Sequence, residues 1–180
     1  MKSHSLYRIF GTLILLLVLS SCSSNLDFDQ INDVKLKPVI VTNLAYFDVK
    51  SSQFITNGRE QNLIVAFSEF DAFRDSYFRD SLKKAELNFE YTNTINRAFT
   101  IELIMLTQND VPVYSIPFNV PAYTGVDNKV IKIDVFENAK LDVFKSTVKI
   151  IFSIRMGPGP AINGGSLKLR SGATIYLELE

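Results

Sequence analysis

The strongest constraint on the fold of this chain is an alternation of apolar and polar residues with a period of two. In the segment AELNFEY, residues 85–91, the apolar residues fall on one face, whereas Glu86, Asn88 and Glu90 fall on the other. A half-solvated β-strand shows this pattern, because successive side chains of a strand point to opposite sides. In KVIKIDV, residues 129–135, we expect the apolar side chains of Ile131, Ile133 and Val135 to face inward. Three other segments repeat the alternation, at residues 99–105, 148–154 and 173–179.

Further extended segments bring the number of predicted strands to about eight, with additions at residues 36–49, 62–70 and 111–118. The turn-forming segment TNTINRA lies between two of the strands and predicts a hairpin over residues 84–106. One short helix is expected near residues 137–145, where Leu141 and Phe144 share a face. Many short strands with little helix predict an all-β fold, an antiparallel β-sandwich over residues 35–180. In this general pattern the domain resembles immunoglobulin-like or fibronectin-like sandwiches, although no strand-order signature supports that topology.

The first 22 residues have the plan of an export signal. A basic start with Lys2 and Arg8 precedes an apolar run from Leu13 to Leu19, and small residues follow. The run is shorter than the roughly 20 apolar residues that a membrane-spanning helix needs. Leu-Ser-Ser-Cys, which ends at Cys22, resembles the lipobox of bacterial lipoproteins. The alternatives are an ordinary cleaved signal with a chance cysteine and a buried N-terminal helix.

The lipobox resemblance implies a specific processing. Signal peptidase II would remove residues 1–21, and acyl chains on Cys22 would anchor the chain to a membrane through a tether at residues 22–34. Two or three acyl chains make such anchoring effectively permanent. Ser23 follows the cysteine in place of Asp, which for such lipoproteins implies the outer membrane of a Gram-negative cell. Whether the domain faces the periplasm or the outside stays open.

The residue inventory after this processing leaves little catalytic chemistry. His4 is the only histidine and Cys22 the only cysteine. Ser-His-Asp, Cys-His and histidine-zinc sites are therefore excluded from the domain. We expect no enzyme activity, no cofactor and no metal, although an enzyme working through carboxylates or a Ser-Lys pair is the remaining alternative. Residues 1–21 hold two of the 19 basic residues and none of the 19 acidic ones, so the remaining net charge is about minus two. This balance argues against nucleic-acid binding.

The densest aromatic segment is FSEFDAFRDSYFRDSLKK, residues 67–84. Its spacings of three and four suit a helical turn or two, for which Ser68 and Asp71 are candidate caps. Either its aromatic residues tuck under the sandwich, or they form a surface of the composition enriched at binding hot spots. The candidate partner-binding residues are Phe70, Phe73, Arg74, Tyr77, Phe78 and Arg79. Asp80-Ser81-Leu82 also resembles a bacterial O-glycosylation motif, with Ser81 as the acceptor.

A second segment, RMGPGPAINGGSLKLRSG at residues 155–172, is rich in glycine and is expected to be a mobile connection between strands. Together these features predict an accessory lipoprotein of the outer membrane that binds another envelope protein, as a subunit of an assembly, secretion or transport complex. A surface glycan-binding module is the alternative.

Overall fold

A computed structural model describes residues 35–70, 73–126 and 128–179 of the chain. The predicted signal peptide and the whole of the predicted tether, residues 22–34 with Cys22, lie outside these residues. The described part forms ten strands, which are β1 (Val39–Lys50), β2 (Ile55–Thr56), β3 (Arg59–Glu60), β4 (Leu63–Glu69), β5 (Leu82–Asn93), β6 (Phe99–Leu106), β7 (Pro112–Val120), β8 (Lys129–Phe136), β9 (Lys149–Met156) and β10 (Ser166–Leu177). Two short helices accompany them, α1 (Ser76–Ser81) and α2 (Ala139–Lys145). A 3-10 turn occupies Ser51–Phe54.

The eight long strands form two four-stranded sheets, with strand orders β1-β10-β5-β8 and β4-β9-β6-β7. All pairs are antiparallel, and β2 and β3 make a small separate ribbon. The predicted all-β sandwich is therefore confirmed. The predicted short helix is also confirmed as α2, in which Leu141 and Phe144 are both buried.

The order of the strands defines the class of sandwich. Successive long strands lie in opposite sheets, except for the hairpin β6–β7. Numbered one to eight along the chain, the long strands are ordered 1-8-3-6 and 2-7-4-5, which is the arrangement of an eight-stranded jelly roll. An immunoglobulin domain instead pairs its strands as ABED and CFG. The resemblance to immunoglobulin-like or fibronectin-like sandwiches therefore does not extend to the strand order. The alternation of apolar and polar residues determines which face of a strand is buried, but it does not determine which strands are neighbours in a sheet.

The predicted hairpin over residues 84–106 is wrong, because β5 and β6 belong to different sheets. The residues between them cross from one sheet to the other, and the side chain of Asn93 holds this crossing. Its Nδ2 donates to the carbonyls of Arg97 at 2.8 Å and Pro121 at 2.7 Å, while its Oδ1 accepts from the amide of Ile95 at 2.9 Å. Turn-forming residues are needed for such an arch as much as for a hairpin.

The core lies between the two sheets and is rich in aromatic rings. Phe47 of β1 meets Phe152 of β9 with ring centroids 5.6 Å apart, and Tyr91 of β5 meets Phe118 of β7 at 4.8 Å. These contacts place β1 opposite β9 and β5 opposite β7, both of which belong to the second sheet. Burying a large apolar side chain of this kind contributes about 1.5–3 kcal/mol.

Strand β8 has the opposite facing from the one predicted. Ile131 and Ile133 are 61% and 60% exposed, whereas Phe136 is fully buried. Lys132 is on the inward side of this strand, and its Nζ donates to the carbonyl of Pro117 at 3.0 Å. The strand is at the edge of its sheet, where a long side chain can run over the neighbouring layer and still reach a polar partner.

Candidate functional site

The four edge strands of the sandwich fall into two pairs on opposite sides. The ring contact of Tyr114 in β7 with Phe136 in β8, at 5.4 Å, joins one pair of edges. Because Phe47 of β1 packs on β9, which is next to β4, the other pair is β1 and β4. We call these the β7/β8 side and the β1/β4 side.

The β7/β8 side carries features that discourage another strand from pairing. Pro112 and Pro117 in β7 lack the amide donors that a further strand needs. On β8, Asp134 points inward and forms an ion pair with Lys140. Burial is the largest single influence on Lys140 and opposes its charged form, but the hydrogen bonds to Asp134 and Tyr114 and the attraction of these two groups together raise the pKa of Lys140. Inward-pointing charges and prolines are standard protections of a sheet edge.

The β1/β4 side has neither kind of protection along most of its length. In β4, residues 63–68 include no charged residue and no proline. Its outward-facing side chains are Leu63, Val65 and Phe67, which are 43%, 56% and 74% exposed. Phe67 is paired in register with Ile151 of β9, which extends the apolar strip by one strand. An exposed apolar strip on an unprotected edge is typical of an interaction surface.

Strand β1 extends the same apolar character. Val39, Ile40 and Val41 are 54%, 41% and 77% exposed. Charged residues enter this strand only at Asp48, where the hydrogen bond from Lys50 lowers the pKa of the Asp48 carboxyl. The apolar part of β1 therefore lies in its first half.

A separate cleft of about 620 Å³ lies where β4, β6 and β9 meet their loops. Its size is within the range of small-molecule sites. The amide of Phe70 donates to the carbonyl of Val148 at 2.8 Å, and the amide of Val148 donates to the carbonyl of Leu106 at 2.9 Å. These bonds hold the three segments together around the cleft. The side chains that line it include Arg74, Arg79, Gln108, Asn109, Lys145 and Lys149.

The base of this region is a cluster of phenylalanines. Phe73 packs against Phe70 at 5.3 Å and against Phe144 of α2 at 4.9 Å, and Phe78 stacks on Phe73 at 6.1 Å. Offset and edge-to-face pairs of this kind stabilise a fold beyond their buried area. Of the six candidate partner-binding residues, the three phenylalanines thus pack against the core, with Phe73 only 5% exposed.

The remaining three candidates stay at the surface. Tyr77 is 61% exposed, Arg74 is exposed, and Arg79 is half-buried. Tyr77 and Arg79 lie in α1, which begins after Asp75, whereas Arg74 precedes it. The Oδ1 of Asp75 accepts from the amide of Phe78 at 3.1 Å. Of the two predicted caps, Ser68 lies in β4 and does not cap the helix, and Asp71 lies outside the described residues.

The other sequence-predicted features are placed as follows. Ser81 ends α1 and is only 9% exposed, so a glycan on its hydroxyl would have to displace its packing in the folded domain. The glycine-rich segment is anchored, because the buried guanidinium of Arg97 donates to the carbonyls of Gly157, Gly159 and Pro160. The expectation of a mobile connection does not agree with these bonds.

Within the described ranges, no three His, Cys, Asp or Glu side chains converge as metal ligands. Neither described helix is long and apolar enough to cross a membrane.

No protein-family model matches the chain, and no curated protein sequence matches it. Among solved structures, it is similar to one of infectious bursal disease virus, Gx strain, with 10% identity and a TM-score of 0.47 over 78% of this chain and 32% of that chain. The VP2 subviral particle of infectious bursal disease virus gives 13% identity and a TM-score of 0.47, over 78% and 32%. A protein of Parabacteroides distasonis ATCC 8503 described as secreted gives 23% identity and a TM-score of 0.43, over 63% and 37%.

The chain therefore spans about a third of the length of these three structures. Similarity at this level carries no functional argument, and the jelly-roll assignment rests on the strand order alone.

Proposed function

We propose that this chain is an accessory lipoprotein of the bacterial outer membrane, without enzyme activity, that binds another envelope protein through the β1/β4 side. The observation that carries the proposal is the exposed strip of Leu63, Val65 and Phe67 on an edge strand whose residues 63–68 include no proline and no charged residue. The chemical inventory supports it, because a domain without histidine has few routes to catalysis.

The mode of binding follows from the geometry of β4. Among the described residues, β4 pairs only with β9, so one edge of its backbone is available for a further strand. An extended segment of the partner would add to this edge through main-chain hydrogen bonds and would cover the apolar side chains. The β7/β8 side would reject the same segment, because Pro112 and Pro117 remove two donors and β8 carries inward charges.

Site-specific cross-linking tests this proposal. A photoreactive residue at Val65, in the full chain expressed at its native level, is expected to cross-link to one defined envelope protein. The same residue at Ile133 is the matched control, since Ile133 is equally exposed but lies on the β7/β8 side. Val65→Lys should reduce co-purification of the cross-linked protein at least tenfold, and Ile133→Lys should leave it within twofold.

Three outcomes would contradict the proposal. Absence of any cross-linked product from Val65 in intact cells would show that this edge has no partner, and a cross-linked product of two copies of this chain would make the edge a homodimer contact. Equal cross-linking from Val65 and Ile133 would show that the β1/β4 side is not selective.

The lipid anchor is tested separately. We expect Cys22→Ala to abolish labelling with palmitate and to release the protein from the membrane fraction. A variant that still incorporates the label would show that the resemblance to a lipobox is accidental.

A further inference from the structure

We propose that the cleft between the β4, β6–β7 and α2–β9 segments binds a saccharide that carries a carboxylate. This inference is independent of the partner-binding proposal, because it rests on the cleft residues and not on the exposed strip of β4.

The charges around the cleft favour an anion. Among the described residues, the cleft is lined by Arg74, Arg79, Lys145 and Lys149 against one acidic side chain, Glu69. Lys149 is already paired with Asp110, 2.5 Å away, whereas Lys145 makes no ion pair within the described ranges. Arg79 reaches Asp80 only at 3.5 Å, and the Asp80 side chain is 75% exposed. Such an exposed pair is weak and can exchange for a ligand carboxylate, which a guanidinium binds with two parallel hydrogen bonds.

The neutral groups of the cleft suit the rest of a sugar. The side-chain amides of Gln108 and Asn109 line it and form no hydrogen bond with any residue that the structure describes. Each amide offers two donor hydrogens and an acceptor oxygen, which matches hydroxyl groups that both donate and accept. Phe70 and Val148 add apolar surface to the lining, against which the C–H face of a pyranose ring can pack.

A peptide ligand is disfavoured by the backbone around the cleft. An extended peptide is recognised mainly through unpaired main-chain groups, as at a strand edge. Here the amides of Phe70, Thr107 and Val148 are already bonded within the domain, at 2.8, 3.0 and 2.9 Å. Recognition in the cleft therefore falls to side chains, and these carry positive charge and amide groups.

Calorimetric titration of the purified protein with trigalacturonate tests the inference. We expect binding in 50 mM salt that weakens at least fivefold in 300 mM salt, because screening reduces attraction between exposed charges. The neutral trisaccharide galactotriose should bind at least tenfold more weakly. Lys145→Gln and Arg79→Gln should each weaken the binding of trigalacturonate at least fivefold.

The control variant is Lys168→Gln, which removes one positive charge from the outward face of β10, away from the cleft. It should bind trigalacturonate within twofold of the unchanged protein. Thermal unfolding of all three variants should agree with the unchanged protein, so that a loss of binding reports on the cleft.

Three results would overturn the inference: no binding of trigalacturonate, equal binding of galactotriose, or a Lys168→Gln variant as weak as Lys145→Gln. Equally tight binding of hexaglutamate would also overturn it, by assigning the cleft to acidic peptides. Cross-linking from Val65 is expected to be unaffected by the cleft variants, which keeps the two proposals distinguishable.

Discussion

Substitution of Arg97 by Ala should destabilise the domain by about 3 kcal/mol. The Arg97 side chain is 8% exposed and donates to the carbonyls of Gly157, Gly159 and Pro160 at 2.9, 3.0 and 2.6 Å. A hydrogen bond from a charged donor contributes about 1.5–3 kcal/mol. Since Gly159 and Pro160 are exposed, water can replace part of two of these bonds, and the total is therefore well below three full contributions. The 3.3 Å ion pair with Glu60 adds under about 1 kcal/mol, because the Glu60 side chain is 39% exposed.

Equilibrium unfolding in urea measures this effect. With an m-value of about 2 kcal/mol per molar urea, the loss corresponds to a midpoint shift of about 1.5 M. Glu60→Gln, which removes only the ion pair, should cost under about 1 kcal/mol. Amide exchange in residues 157–162 should accelerate in Arg97→Ala, because the segment loses its anchor. A loss below about 1 kcal/mol, or equal losses for Glu60→Gln and Arg97→Ala, would refute the assignment of Arg97 as that anchor.

Four other substitutions test the packing of the domain. No residue that the structure describes offers a hydrogen-bond partner to the buried hydroxyl of Tyr91, and burial raises its pKa. Tyr91→Phe should therefore be neutral or stabilising by about 1 kcal/mol at pH 7. Above about pH 10 the unfolded chain loses the Tyr91 hydroxyl proton, whereas the folded state keeps it. The free energy of unfolding should therefore fall with rising pH in this range by up to about 1.4 kcal/mol per pH unit. Tyr91→Phe should remove this contribution in unfolding measured at alkaline pH. Gly165→Ala should lower the free energy of unfolding in urea by over about 3 kcal/mol, since its Cβ would lie 2.2 Å from the carbonyl oxygen of Thr94. Gly164 also has a positive φ, but no atom lies within 4 Å of the Cβ that alanine would add, so Gly164→Ala should cost only about 1–2 kcal/mol. Asp75→Ala removes the N-cap of α1 and should lower stability by about 1 kcal/mol, measured by thermal unfolding.

Alternation predicts the strands best where a strand has a fully buried face. In β5, the residues Leu87, Phe89 and Tyr91 are completely buried, and their facing is as predicted. In β8, apolar residues occur on both faces, with Ile131 and Ile133 on one and Val130 and Phe136 on the other. The larger number of isoleucines indicates the wrong face, because an edge strand does not need a continuous apolar inward face.

The cleft could not be predicted from sequence for a different reason. Its residues come from three separate segments, represented by Arg79, Gln108 and Lys145, and no local spacing joins them. Only the pairing of β9 with both β4 and β6 brings these segments together. In the sequence, only the aromatic segment at residues 67–84 indicates this region. Its phenylalanines form the base of the region, and its arginines line the cleft.

The proposed anchor and the proposed binding edge are complementary in energetic terms. Strand β4 has seven residues, so a strand added to it forms few hydrogen bonds and covers less than the roughly 1,200 Å² of a standard stable interface. Such an interface is weak between molecules that diffuse freely. Two partners held at the same membrane meet at a high effective concentration, which can strengthen association by orders of magnitude without any new contact. We therefore expect a soluble form that begins after Cys22 to bind the partner in solution at least a hundredfold more weakly than the anchored protein binds it in vesicles. The substitution Val65→Lys in this soluble form should abolish the affinity that remains. Equal affinities of the soluble and anchored forms would show that the edge is sufficient by itself and that the anchor has another role.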